Sequence, residues 1–393
     1  SVVFDSHLSA QTLNDDLAKI NSWATQWKMS FNPNISKQAH EVIFSRKTKI
    51  VNHPNLLFNN IDVKKVNSQK HLGLILDENL SFKDHLNMIM EKTSKRINVL
   101  RKLRLHLTRF SLITIYKSFI RSILDYGDIL YDQPYNGSVT NRIESIQYNA
   151  ALAITGSIRG TSRDSLYSEL GLESLQSRRW FRKLCTFYKI FHNKSPQYLF
   201  NLIPKHNNLL NIRNRNRIPN LFCRTEYFRN SFFPSVITEW NKLDVNIVNS
   251  DTFTIFRSSI LRQIRPIPKN VFNISNSLGL QHLTRLRLGL SHLREHKFHH
   301  NFNDTLNPLC PCNLEVESVT HFFLRCQFFN NERLVLMNRI LNIDPDIHLL
   351  DEISLSNLLL YGSAQYSSET NKNILEISIN YILLSKRFEG SLY

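Results

Sequence analysis

Leu309-Cys310-Pro311-Cys312-Asn313-Leu314-Glu315-Val316-Glu317-Ser318-Val319-Thr320-His321-Phe322-Phe323-Leu324-Arg325-Cys326 decides how the C-terminal part of this chain is read. It holds three of the five cysteines, spaced C-x-C-x8-H-x4-C with one histidine. Thiolate sulfur and neutral imidazole nitrogen are the donors that suit tetrahedral zinc. Cys310 and Cys312 flank Pro311 on a tight turn. His321 and Cys326 are separated by about one and a half turns of helix, or by a helix end. Four protein ligands close the shell and leave no position for a substrate. The expectation is therefore a structural zinc site at Cys310, Cys312, His321 and Cys326. The competing reading is ordinary core cysteines beside a surface histidine.

Working outward, residues 280–300 read as one helix leading into this site. Leu283, Leu286, Leu290 and Leu293 form its apolar stripe; Arg285, His292 and His296 lie opposite, and Arg287 and Arg294 flank the stripe. With Lys297 this makes a basic helix beside a metal site, an arrangement suited to nucleic-acid contact. His299 and His300 read as surface residues, because four ligands already close a shell. Residues 266–279, with Pro266, Pro268 and repeated Asn and Ser, read as a linker. After the site, helices are expected on Leu334, Met337, Ile340 and Leu341, then on Ile374, Ile377, Ile379 and Ile382.

The 393 residues suggest two or three domains. Lys and Arg exceed Asp and Glu, 49 to 32, for a net charge of +17. Such an excess implies a polyanionic partner, most simply nucleic acid, with a basic membrane-surface protein as the competitor. Ten glycines fall well below the usual share of about 7%, and neither G-x-G-x-x-G nor G-x4-G-K-[ST] occurs. Glycine-loop nucleotide folds are therefore not expected. No apolar run approaches a membrane span of roughly 18 residues. The few, clustered cysteines argue for a reducing, intracellular compartment. The absence of an initial Met is read as a sign of a piece of something longer.

Residues 9–27 place Leu13, Leu17, Ile20, Trp23, Ala24 and Trp27 on one helical face, capped by Ser9 or Thr12. Asp15 and Asp16 point about 100° apart on that helix, so they read as surface charges rather than a metal pair. Asn32-Pro33-Asn34 ends the helix. Strands follow at Val42-Ile43-Phe44, Leu56-Leu57-Phe58, Ile61-Asp62-Val63 and 71–76, with Asn59-Asn60 as a hairpin turn. From Ser81, which with Asp84 resembles a capping box, the pattern is helical. Leu86, Ile89, Met90, Thr93, Ile97, Leu100 and Leu103 make one face; Lys92, Lys95, Arg96, Arg101, Lys102 and Arg104 make the other. More helices are expected near 110–125, 138–155 and 174–193, with Cys185 in the core. In 204–235, Arg213, Arg215 and Arg217 precede Phe222, Arg224, Tyr227, Phe228, Arg229, Phe232 and Phe233. Guanidinium groups interleaved with aromatics suit phosphate contact plus base stacking; a surface loop with buried anchors fits equally.

Gln69-Lys70-His71-Leu72-Gly73-Leu74-Ile75-Leu76-Asp77, with Leu80, Phe82 and His85-Leu86, resembles the segment after the palm active site in reverse transcriptases of jockey-like non-LTR (LINE-type) retrotransposons. Ile120-Arg121-Ser122-Ile123-Leu124-Asp125-Tyr126-Gly127-Asp128 resembles a thumb motif of that family. Thr284-Arg285-Leu286-Arg287, Ser291-His292-Leu293 and Lys297-Phe298, followed by the Cys/His spacing, are similar to its C-terminal zinc segment. That segment usually carries Gly after the second Cys. Here it is Asn313, which also tolerates left-handed backbone.

The resemblance implies an α+β, predominantly α-helical fold. Residues 1–80 would be the end of the reverse-transcriptase palm, with a primer grip at His71, Leu72 and Gly73. Residues 81–200 would be a helical thumb, 201–279 a basic irregular connector, and 280–393 a zinc-bearing helical module. It implies RNA and DNA partners, namely template–primer and element RNA, with no membrane, and a cytoplasmic and nuclear location. Lys37 would be a candidate proton donor to pyrophosphate, or else a solvated loop lysine. Arg101, Lys102, Arg104, Arg213, Arg215, Arg217, Arg285, Arg287, Arg294 and Lys297 would meet nucleic acid. Mg²⁺ would serve only the full-length polymerase, because no Ala-Asp-Asp occurs here and two-metal nucleotidyl transfer needs those carboxylates. The missing palm and fingers, and an upstream endonuclease, would lie outside this chain, which alone is expected not to polymerise. Pro345-Asp346 has no downstream acidic-x-Lys, so a restriction-like nuclease is not expected. The alternative is a stand-alone nucleic-acid-binding zinc module without enzymatic activity.

Overall fold

A computed structural model describes residues 5–31, 40–45, 53–59, 61–132, 137–205, 218–264 and 274–389. Lys37, Arg213, Arg215, Arg217 and the Asn32-Pro33-Asn34 break lie outside the described residues. The chain divides into two units, Ser1–Glu91 and Lys92–Tyr393. Most described residues are helical and the strands are short. No described helix is long and apolar enough to cross a membrane.

In the first unit the helix Ser6–Gln26 starts where the Asp5 carboxylate accepts the amides of His7 and Leu8, at 2.9 and 3.2 Å. Asp5, rather than Ser9 or Thr12, is therefore the cap. The expected apolar stripe is only partly used. Ala10 and Ala24 are buried, while Ile20, Trp23 and Trp27 are 45%, 52% and 65% exposed. Asn14 clips the helix to the neighbouring chain, accepting the Leu57 amide at 2.8 Å and donating to Asn55 O at 3.2 Å.

The strands are narrower than their apolar runs suggested. Leu57–Phe58 and Ile61–Asp62 do pair as an antiparallel hairpin. Val42-Ile43-Phe44 is not a strand; the ladder there is His40–Glu41, parallel to Lys64–Lys65. Residues 71–76 are not one strand but the tip of a hairpin. Ser68–His71 pairs antiparallel with Leu74–Asp77, with His71 opposite Leu74. Leu72 and Gly73 between them have φ of 47° and 87°. Two successive left-handed residues make the turn whose twist matches that of its strands, so the glycine reverses the chain where an apolar run suggested continuation.

Asp77 closes this hairpin and opens the next helix, Lys83–Leu103. Its carboxylate accepts the amides of Asn79, Ser81 and Phe82 at 3.1, 2.9 and 2.8 Å. Burial works against its ionisation, yet these bonds, led by Ser81, hold its carboxyl below the usual range. Asp77 thus takes the Ser81 amide that Asp84 was expected to serve in a capping box. The helix follows its predicted pattern: Leu86, Ile89, Thr93, Ile97 and Leu100 are buried, and Lys92, Lys95, Arg96, Arg101 and Lys102 are exposed.

In the second unit the helices Arg109–Ile115, Arg121–Asp125, Gly137–Thr155 and Leu175–Phe191 stand near their expected places. Cys185 is buried as expected. The described part of 201–279 departs from an irregular connector. It forms Glu226–Arg229, Phe232–Trp240, Val245–Val248 and Phe253–Ile264. The second and fourth of these lie against Leu175–Phe191, with Phe187 edge-on to Trp240 at 5.1 Å and Tyr188 stacked on Phe256 at 4.5 Å. Two of these helices are single turns, too short for a period to emerge from sequence, and aromatic burial holds the two longer ones.

The expected helix 280–300 is two helices, Ser277–Arg287 and Arg294–His299. Gly289, at φ 68°, breaks it. All nine residues 279–287 are buried, so this is a core helix with no basic surface. It lies between Glu352–Tyr361 and Ser368–Leu384, in a core that includes Leu283, Phe322, Phe323, Ile340, Ile374 and Ile379. In Asn330–Leu341, Leu336 and Ile340 face this core, and the expected Leu334 is 63% exposed.

Candidate metal centre

The loop before the centre is fixed by its own backbone. Leu309 and Val316 form an antiparallel bridge. Cys310 N donates to Glu315 O at 2.9 Å, Asn313 N to Cys310 O at 2.8 Å, and Glu317 N to Pro308 O at 2.9 Å. Asn313 has φ 60°, the left-handed geometry expected of it. On the other side, His321–Arg325 is a single wide turn closed by Cys326 N donating to His321 O at 2.8 Å. An i→i+5 bond brings residues five apart over one another, which an α-helix does not do. The carbonyls of this turn are not left bare. Tyr381 Oη donates to Phe322 O, and Arg333 donates to Phe323 O and Cys326 O.

The two segments bring all four expected ligands together. Cys310 Sγ lies 3.7 Å from Cys326 Sγ, and Cys312 Sγ lies 3.3 Å from His321 Nε2. The four donor atoms are all within 4.8 Å of one another, and all four residues are buried. Tetrahedral zinc with bonds of about 2.3 Å to sulfur and 2.0–2.1 Å to nitrogen separates its ligand atoms by roughly 3.5–3.8 Å. The donor set and its spacing therefore fit a structural metal site of the zinc type. Burial pushes the Cys310 thiol up to about 12. At Cys312 burial is outweighed, first by the Leu314 amide, and the thiol sits below its ordinary value. Three neighbouring sulfurs become thiolates together only beside a cation, which a metal would supply.

An outer shell supports the imidazole. His321 Nδ1 lies 3.1 Å from Glu315 Oε1, so a neutral ring that ligates through Nε2 would present its Nδ1–H to this carboxylate. The adjacent imidazole, then Arg325, holds the Glu315 carboxyl low. Arg325 bonds Glu315 Oε2 at 2.9 Å and, through Nε, Glu352 Oε2 at 2.8 Å, tying the ligand to the helix Glu352–Tyr361. Such partners set which ring nitrogen faces a metal. A second brace had no signal in periodicity. Buried Glu317 accepts the Arg294 amide at 2.8 Å and Arg387 Nε and Nη2 at 2.6 and 2.8 Å. Arg387 also donates to His292 O at 3.1 Å.

The expected nucleic-acid residues separate into groups. Arg285 and Arg287 are not available to a phosphate. Arg285 Nε donates to Gly156 O at 2.8 Å. Arg287 and Arg109 both bond the buried Glu169, at 3.1 and 3.0 Å, and Arg109 also donates to Thr284 at 2.7 Å. A guanidinium matched to a carboxylate is stable inside a core, so basic type alone did not mean surface. Arg294 Nη1 braces the metal loop at Leu309 O, 3.1 Å away, and Lys297 pairs with Asp304. Arg104 is half-buried; Arg101 and Lys102 are exposed. His71 and Gly73 flank Leu72, which is 77% exposed at its hairpin tip. The expected thumb motif supplies the acidic half of an ion-pair network. Asp125 holds Arg178 through two 2.7 Å bonds, and Asp128 holds Arg182 at 2.9 Å.

No family model matches the chain, and no solved structure matches it. Over 225 residues, 56% of this chain, it is 26% identical to the probable RNA-directed DNA polymerase from transposon X-element of Drosophila melanogaster. The chain is thus distantly related to a transposon-encoded RNA-directed DNA polymerase, of whose length it spans only 23%.

Proposed function

We propose that the chain is the portion of a jockey-like non-LTR (LINE-type) retrotransposon reverse transcriptase that follows the polymerase active site. The distant similarity to a transposon RNA-directed DNA polymerase carries this reading. Residues 1–80 are then the end of the palm, with the hairpin tip His71, Leu72 and Gly73 as primer grip. Residues 81–200 are the thumb, 201–279 a basic connecting region and 280–393 the zinc module. The chain grips template–primer and element RNA through phosphate contacts, consistent with its charge of +17. Zinc at Cys310, Cys312, His321 and Cys326 is structural: it clamps the 309–317 loop to the His321–Arg325 turn and takes no part in bond making. The chain contains no Ala-Asp-Asp, so Mg²⁺-dependent transfer belongs to the longer polymerase. Work in cytoplasm and nucleus follows from these partners. The second reading, a stand-alone nucleic-acid-binding zinc module, rests on the closed four-ligand cluster.

RNA binding by the purified chain, followed by anisotropy against salt, tests the electrostatic grip. Log affinity should fall linearly with log salt, and Lys102→Ala or Arg101→Ala should each reduce the slope by about 0.7–0.9. A salt-independent affinity would sink the proposal. An in-frame Phe/Tyr-Ala-Asp-Asp upstream of Ser1 in the genomic sequence decides for the polymerase over the stand-alone module.

A further inference from the structure

The two segments that carry the candidate ligands are held together by more than those ligands. Glu317, at the end of the 309–317 loop, accepts Arg387 at 2.6 and 2.8 Å and the Arg294 amide at 2.8 Å, and Arg294 reaches Leu309 O at 3.1 Å. On the other side Arg333 donates to Phe323 O at 2.9 Å and to Cys326 O, and Tyr381 donates to Phe322 O. None of these bonds uses a metal-donor atom, so they keep both backbones in place whatever the ligands do. Within this frame the four side chains pair across the gap. Cys310 Sγ meets Cys326 Sγ at 3.7 Å, one sulfur from each segment, while Cys312 Sγ meets His321 Nε2 at 3.3 Å. A bridge between Cys310 and Cys312 would close a ring over Pro311 alone, which strains a disulfide. Cys310 and Cys326 are therefore the pair placed to join.

We infer that Cys310 and Cys326 form a thiol–disulfide switch that closes the centre to metal. The inference goes beyond the proposed function and rests on that reading only for the metal, not for the polymerase. Cys326 is 0% and Cys310 2% exposed, which shuts out a bulky oxidant such as glutathione disulfide, so the oxidant is a small hydroperoxide. One sulfur attacks the O–O bond as thiolate and becomes a sulfenic acid, and the alcohol, or water, leaves. The other thiolate attacks that sulfur, the S–S bond forms, and hydroxide departs to be protonated as water. Two thiols and one hydroperoxide thus give one disulfide, one alcohol and one water, with two electrons passing from the sulfurs to the peroxide. The bridge joins the same loop and turn that a metal would clamp, so the module keeps its fold. It leaves only Cys312 and His321, two donors where a closed zinc shell takes four. A thiol reductant restores the pair.

The test uses the full chain loaded with zinc and treated with hydrogen peroxide in the presence of a chromophoric chelator. Denatured samples are then mapped by mass spectrometry of unreduced peptides. The chain should lose two of its five titratable thiols, release one zinc per bridge formed, and yield a peptide pair joining Cys310 to Cys326. Its far-UV circular dichroism should stay unchanged, and zinc uptake should return only after dithiothreitol. Cys312→Ser should still form the bridge; Cys326→Ser should not. Bridges that map to Cys312, scrambled pairings, or oxidation that stops at sulfinic acid would overturn the switch and leave the metal reading intact. So would zinc retained in bridged chains. A reduced chain that bound no zinc at the outset would sink the metal reading and the switch together.

Discussion

Glu315 stands outside the four candidate ligands and supports one of them. It faces His321 Nδ1 at 3.1 Å and shares Arg325 with Glu352. Glu315→Gln should keep one zinc per chain but weaken its hold about 10–100-fold, read by competition with a chromophoric chelator. Cys326→Ser or His321→Ala should lose the metal outright, and full zinc stoichiometry in either would refute the ligand set. Glu169 carries a different load. It lies between the buried guanidiniums of Arg109 and Arg287. Glu169→Gln should cost about 3–5 kcal/mol in urea unfolding, because two buried charges then lose their carboxylate. Asp128 gives a pH signature. Burial, against the pull of Arg182, raises its carboxyl to about 6. A carboxyl raised in the fold stabilises below its unfolded value and loses that contribution as pH climbs through the folded one. Stability should thus fall between about pH 4 and 6, by at most roughly 3 kcal/mol at 1.36 kcal/mol per unit. Asp128→Asn should flatten that fall, and an unchanged profile would count against the assignment.

At the scale of elements, backbone conformation decided what periodicity left open. The Leu72-Gly73 turn needs positive φ at both positions, and leucine resists it. Leu72→Asn should raise the stability of the first unit by about 0.5–1 kcal/mol, seen as a higher Tm, because Asn-Gly suits this turn. One helix contact depends on another glycine. A Cβ on Gly279 would lie 2.2 Å from Ile379 Cγ2, so Ser277–Arg287 and Ser368–Leu384 meet where one lacks a side chain. Gly279→Ala should destabilise by about 1–3 kcal/mol, and less in an Ile379→Ala background, where a double-mutant cycle measures the clash. Helices with a long stripe, such as Lys83–Leu103 and Leu175–Phe191, were legible in the sequence. The 280–300 segment misled because its four leucines fit one helix, while Gly289 breaks it and the core closes over its arginines.

For the molecule as a whole, the sequence by itself determined the predominance of helix, the basic excess and the identity of the four candidate ligands. These rest on residue type and local spacing: a 3.6-residue period, a count of charges, and a Cys/His pattern whose chemistry has few other uses. Tertiary structure decided where the charges went. Arg285 and Arg287 read as surface cations, yet one binds Gly156 O and the other Glu169, far away in sequence. Arg387 meets Glu317 in the same way. It also decided that Cys326 comes over His321, because only a wide turn, held by Tyr381 and Arg333 from other helices, closes that spacing into a cluster. The physical reason is range. Periodicity reports which side of an element is apolar, but whether a buried guanidinium or a freed carbonyl is tolerable depends on a partner that another part of the chain must bring.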